Sequence, residues 1–209
     1  MIPIDRFDYL LFDFDGVIKE SNLIKGEVFK KIFKDFGPEV TSKIFNHHIS
    51  NGGISRYEKI PLYLSWAGIK NNKNIKEFEK LFSELVVREV IASEWVPGVE
   101  NFIREQYSHG KKLFIVSATP TFELKQIIRS IGLENFFHEL MGSPAEKSDN
   151  IKSLITKKEI VPKKSIFFGD THTDFNAANL NSIGFVLRKT TYNNDITRLN
   201  IYDSINDFR

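Results

Sequence analysis

The stretch Tyr9-Leu10-Leu11-Phe12-Asp13-Phe14-Asp15-Gly16-Val17 runs apolar and then sets two aspartates one residue apart, followed at once by glycine. Apolar strands seldom end this way, because an ionised carboxylate is costly to bury unless something pairs with it. Residues i and i+2 of an extended chain point to the same side. Asp13 and Asp15 therefore repel each other unless a cation sits between them or one keeps a proton. Either the acids lie on a solvated loop, or they build a site for a metal and a nucleophile.

Three further segments read like the first: Lys112-Leu-Phe-Ile-Val-Ser117, Ser165-Ile-Phe-Phe-Gly-Asp170 and Gly184-Phe-Val-Leu187. Continuous apolar strands without alternation imply burial on both faces, hence a parallel sheet covered by helices. Helical patterns separate them, at 99–107 after the breaker Pro97-Gly98, at 121–131 before Gly132, at 149–155 and from Asp174 to Leu180. This alternation predicts an α/β, doubly wound parallel-sheet core.

The stretch from about Glu20 to Trp95 is different. It holds helical patterns at 24–36, 40–48, 55–66 and 75–91, broken at Gly37-Pro38, Asn51-Gly52-Gly53 and 68–74, with a short Asn/Lys-rich loop at 70–76. It predicts an all-helical insertion after the first strand. The core is expected over 1–18 and 96–209, and the helical cap over 19–95.

Composition sets the class. The 209 residues suit one compact domain or a core with a smaller insertion, and 41% hydrophobic with 27% charged residues describes an ordinary soluble chain. A net charge of +2 with scattered lysines gives no nucleic-acid footprint. Without cysteine there is no disulfide, thiolate nucleophile or thiolate metal site. Neither a secretory signal nor an apolar run of spanning length is present, so the expectation is a cytoplasmic protein with no membrane partner.

Ligands of an open parallel sheet bind beyond the carboxyl ends of its strands. Those ends carry Asp13 and Asp15, then Ser117, then Gly169-Asp170 with Asp174 one turn later, and Lys147 precedes the helix at 149–155. Hard oxygen ligands suit Mg²⁺ together with substrate phosphate. Ser117 and the backbone N–H groups after it, from Ala118 onward, form a cradle for phosphate oxygens. An attacking Asp would give an aspartyl-phosphate. A second Asp beside it, its pKa raised by like charge, would suit proton transfer to and from the ester.

Asp13-Phe-Asp-Gly-Val17, Ser117, Lys147 and Gly169-Asp-Thr-His-Thr-Asp174 together resemble, in order and spacing, the four motifs of the haloacid dehalogenase superfamily. The helical insertion is similar to that family's C1 cap, as in β-phosphoglucomutase-like and phosphoglycolate-phosphatase-like members. The resemblance implies a Rossmann-like core and a Mg²⁺-dependent phosphatase acting on a small phosphorylated metabolite such as a sugar phosphate. It makes Asp13 the nucleophile and a metal ligand. Asp15 is then the acid/base, lending its backbone carbonyl to Mg²⁺. Ser117 and Lys147 hold the phosphoryl group, with Gly16 and Ala118 beside it. Asp170 binds the metal directly, and Asp174 supports it through water. Family members that cleave carbon–halogen or carbon–phosphorus bonds lack the second aspartate, so Asp15 points to phosphate esters. A phosphomutase and a non-catalytic metabolite-binding regulator are the alternatives.

Ser148 stands where relatives often have proline, which leaves Lys152 as a fallback for the third motif. His172 is either a substrate contact or an exposed loop residue, and Thr171 and Thr173 are candidate helix caps. In the cap, Arg56 is the leading candidate for substrate oxygens because its planar fork suits anionic groups. His47 and His48 line the same cleft or cap their helix, and Tyr57 and Lys59 rank lower. Glu20, Ser21 and Asn22 fall at the cap hinge. The expected assembly is a monomer or weak homodimer.

Overall fold

A computed structural model describes residues 2–69 and 73–209. Six strands form one parallel sheet: β1 Tyr9–Phe12, β2 Lys112–Pro120, β3 Glu139–Ser143, β4 Ser165–Gly169, β5 Gly184–Arg188 and β6 Asp203–Ile205. Their order is β3-β2-β1-β4-β5-β6. The chain winds outward from β1 in one direction, then returns to β4 and winds outward in the other. The point of reversal, at the carboxyl ends of β1 and β4, is where such sheets bind ligands.

Alternate residues of the central strands enter two separate cores. Leu11, Phe114 and Phe167 form one row in register. That row packs with Ile151 and Leu154 of α7 (Lys147–Thr156) and with Ala177 and Ala178 of α8 (His172–Leu180). Leu10, Phe12, Ile115 and Phe168 face the other way, toward α5 (Val99–Ser108) and α6 (Thr121–Ser130). Burial on both faces explains the unbroken apolar runs.

The sequence reading misses β3 and β6. Both are edge strands, and their residues are mostly half-buried. A strand with one neighbour needs fewer apolar side chains, and its periodic signal fades.

Between β1 and α5 the chain forms α1 (Asn22–Ile32), α2 (Pro38–Ser50), α3 (Arg56–Trp66) and α4 (Lys73–Ala92). The Asn/Lys-rich loop expected over 70–76 falls partly on residues 70–72, outside the described residues, and from Lys73 the chain is already helical. Phe29 stacks on Phe82 at 4.1 Å and meets Tyr63 edge-on at 5.0 Å, giving this cap an aromatic centre. The two connections to the core run side by side. Glu20 N–H donates to the Glu94 carbonyl at 2.9 Å, and Val96 N–H to that of Ile18 at 3.0 Å.

A buried ion pair ties cap to core. Arg56 of α3 reaches Glu123 of α6 through both ends of its fork, at 2.7 and 2.6 Å. Ser83 of α4 donates to the same carboxylate, and the guanidinium lies over the Phe82 ring at 4.6 Å.

Candidate active site

Asp13 continues the β1 backbone by one residue, its N–H donating to the Phe168 carbonyl at 2.8 Å. Its Oδ1 accepts from Phe14 N–H at 2.6 Å and its Oδ2 from Lys147 Nζ at 2.8 Å. Lys147, the first residue of α7, also donates to Asp174 Oδ1 at 2.6 Å. Asp174 is fixed by its position in the first turn of α8. Thr171 and Asp174 form a reciprocal capping box, in which Asp174 Oδ2 accepts from Thr171 N–H at 3.0 Å. Two glycines allow the crowding. A Cβ on Gly169 would lie 2.4 Å from Asp174 Cβ. Gly16 has φ +74°, and a Cβ there would lie 2.2 Å from Asp170 Oδ2.

The sheet thus brings Asp13, Asp170 and Asp174 together, with one oxygen of each within 4.8 Å of the others and all three buried. Lys147 is the one cation bonded to this trio among the described residues. Burial pushes Asp13 up to about 7 against the pull of Lys147, with Asp174 and Asp15 adding repulsion. Burial and the same repulsion from Asp13 and Asp174 hold Asp170 well above the usual carboxylate range. Asp170 Oδ2 accepts from Asn22 Nδ2 at 2.7 Å, while its buried Oδ1 has no partner among the described residues. An orphaned carboxylate oxygen in an all-oxygen cluster with excess negative charge fits a hard divalent cation such as Mg²⁺.

Asp15 behaves opposite to the expectation from like-charge repulsion. Burial pushes its pKa up, but the Lys25 ammonium more than offsets this, and the carboxyl stays below its ordinary value. Oδ2 accepts from Lys25 Nζ at 2.5 Å and Thr119 Oγ1 at 3.0 Å, and Oδ1 from Ser21 Oγ at 2.5 Å. Every partner is a donor, which favours the ionised form.

The remaining candidates divide. Ser117 is fully buried, and its Oγ accepts from Thr119 N–H at 3.2 Å. Lys152 is exposed, whereas Lys147 is buried against Asp13 and Asp174. Exposed His172 opens α8 and pairs with Asp195 at 2.6 Å. Thr171 caps that helix, whereas Thr173 bonds to Thr171 Oγ1 at 2.8 Å. The Arg56 fork is taken up by Glu123, so in this arrangement it is not free for a ligand. His47 bonds to the Tyr63 hydroxyl at 3.0 Å. His48 bonds to the Asn22 carbonyl at 3.2 Å and to Lys59 Nζ at 3.1 Å, so it does not close its own helix. Tyr57 is half-buried on α3.

Lys25, Thr119 and Glu123 escaped the sequence reading. Lys25 stands twelve residues after Asp13, three turns of chain away from any motif pattern, and only the cap's docking brings it to Asp15.

Two openings flank the carboxylates. A broad groove of about 1100 Å³ runs between the cap loop at 50–54 and the segment at 188–196, touching Asp170 and Thr171. A small cavity of about 30 Å³ lies between Asp15, Ala118 and Thr119 of the core and Lys25, His48 and Lys59 of the cap. The smaller one is lined by Asp15, the acid/base candidate, and by the loop after Ser117. The cap loop lies hard against the core beside the groove, where a Cβ on Gly53 would fall 1.7 Å from Thr173 Oγ1.

Comparisons with known proteins agree with this architecture. The chain is 24% identical over 180 residues to a phosphorylated carbohydrates phosphatase of Thermotoga maritima, covering 81% of this chain and 79% of that protein. It is 24% identical over 203 residues to a phosphoglycolate phosphatase of Pasteurella multocida, covering 91% and 89%. The crystal structure of a predicted phosphoglycolate phosphatase from Haemophilus somnus superposes with a TM-score of 0.78 at 20% identity, covering 97% and 95%. The profile of the haloacid dehalogenase-like hydrolases matches residues 10–187, most of the sheet and the whole cap. By that match and by its fold, the chain belongs to the haloacid dehalogenase-like hydrolase family.

Proposed function

We propose that this protein is a Mg²⁺-dependent phosphatase for a small phosphorylated metabolite, working through a phosphorylated Asp13. The observation that carries this reading is the pairing of two differently treated aspartates. Asp13 faces the acid cluster and Lys147, and Asp15 faces donors on the cap side. The curated relatives that the chain resembles are named as phosphatases, which supports the same class.

In this reading a carboxylate oxygen of Asp13 bonds to phosphorus as the ester P–O bond breaks. The departing alkoxide takes a proton from Asp15. A water then gives a proton back to Asp15 and attacks phosphorus, releasing orthophosphate and restoring Asp13. Asp15 is ionised in the free protein. An approaching dianionic ester opposes the pull of Lys25 and raises the proton affinity of Asp15, so that Asp15 takes up one proton from solvent as the ester binds and holds it for the departing alkoxide. Lys147 holds transferring oxygens while staying protonated, since its two carboxylate partners outweigh burial and push its pKa up. Asp13 and Asp170 would hold Mg²⁺ with the Asp15 carbonyl. Asp174, whose oxygens serve Lys147 and Thr171, would act from outside. When bound, Mg²⁺ offsets the negative charge of the ester so that a carboxylate can approach it.

Phosphate release from a panel of phosphorylated metabolites, with Mg²⁺ and with chelator, tests this reading. Turnover that depends on Mg²⁺ is expected. Isomerised sugar phosphate without free phosphate would indicate a mutase, and no conversion of any ester would overturn the proposal.

Asn22 supplies a second test. Its amide holds Asp170 Oδ2 and leaves Oδ1 turned to the cluster. Asn22→Ala is expected to weaken Mg²⁺ or Mn²⁺ binding about tenfold, the usual effect of removing a group that orients a metal ligand. Calorimetric titration measures this directly, and unchanged affinity would remove Asn22 from the role.

A further inference from the structure

Lys59 stands on α3 with its ammonium in the small cavity, and only 2% of the residue is exposed. Its neighbours are already matched: Lys25 with Asp15, and Arg56 with Glu123. Lys59 contacts no carboxylate among the described residues, and its polar partner is His48 Nδ1 at 3.1 Å. His48 Nε2 faces the Asn22 carbonyl, so the ring carries its hydrogen there and offers a lone pair at Nδ1. Burial, with Lys59 nearby, keeps His48 neutral. One ammonium N–H is thus used, and two remain for the cavity.

A buried cation without a counter-ion is destabilising and is retained where a ligand supplies the missing charge. Burial and the Lys25 charge bring the Lys59 pKa down to about 7, so an arriving anion finds an ammonium that gains much from being paired. The cavity also sets size. Its volume of about 30 Å³ admits about two water-sized groups, which suits two carboxylate oxygens and not a second phosphoryl group. The cavity opens on Asp15, Ala118 and Thr119, so its occupant is joined to the reacting phosphate by a short linker.

We infer that Lys59 recognises a carboxylate on the leaving group, making small phosphorylated carboxylic acids the preferred substrates. This rests on the phosphatase reading above and narrows it.

The test compares phosphoglycolate with its neutral analogue 2-hydroxyethyl phosphate, in the native protein and in Lys59→Met, all with Mg²⁺. The native protein is expected to favour phosphoglycolate by about 30-fold or more in kcat/KM. In Lys59→Met that preference falls to within about threefold, mainly through KM for the acid. Lys59→Gln keeps a donor without the charge and should fall between, and it serves if the Met variant does not fold. Metal-free Lys59→Met should also melt several degrees higher than the native protein, because an unpaired buried charge is gone. A preference unchanged by both substitutions, or a native preference for ethanediol bisphosphate, overturns the assignment while the phosphatase reading stands. Absence of phosphate release from these esters and from an aryl phosphate alike overturns both.

Discussion

Asp13→Asn is expected to lower phosphate release by at least about 10⁴-fold in kcat, the scale of loss when a nucleophile, the role proposed for Asp13, is removed. An amide oxygen is a poor nucleophile and a weaker metal ligand, so bond formation and charge neutralisation suffer together. The fold survives the change. The amide still accepts from Phe14 N–H or Lys147 Nζ, and the cluster loses a charge whose burial had pushed its pKa to about 7. Phosphate release from an aryl ester, with a thermal melt as the check on folding, measures both parts. Release within tenfold of native would show that another group attacks.

Lys147→Met has the largest expected effect on stability. It leaves Asp13, Asp170 and Asp174 buried together without the ammonium that joins two of them. Removing one partner from a buried pair costs about 3–5 kcal/mol. For a chain of this size that lowers Tm by about 10 °C. Mg²⁺ should restore more of the melting temperature in the variant than in the native protein, since it supplies the missing positive charge. The metal-free native protein carries a milder version of the same strain. Burial pushes Asp13 up to about 7 from 3.8, and burial with repulsion from Asp13 and Asp174 also holds Asp170 well above the usual carboxylate range. Native protein therefore binds more protons than the unfolded chain across that interval. The stability these groups contribute is full below pH 3.8 and is lost as pH rises through 7. Melts in chelator should fall across that window, more steeply for Lys147→Met, and excess Mg²⁺ should flatten them. A pH-independent Tm in chelator would contradict this account of the cluster.

Much of the structure is legible in the chain because a buried parallel sheet writes strong local signals. Leu10 to Phe12, Leu113 to Val116 and Ile166 to Phe168 have nowhere to go but between two layers of helix. The acids that end those strands converge because the sheet has one point of reversal. β3 and β6 were invisible because edge strands need little apolar surface. The proton preference of Asp15 was misjudged for a related reason. Its neighbour in sequence is Asp13, but its neighbour in space is Lys25, which only cap docking delivers. Arg56 and Lys59 show the same limit. The sequence reading put Arg56 first as an anion binder and ranked Lys59 lower. Tertiary placement gave Arg56 an internal carboxylate and left Lys59 without one among the described residues.

The Arg56–Glu123 pair also bears on how the cap parts from the core. If the cap swings away, both ions regain water only after they have separated. Midway they have lost each other without yet being hydrated. Such a contact disfavours any partly open arrangement of cap and core, so the pair works as a latch between the two layers.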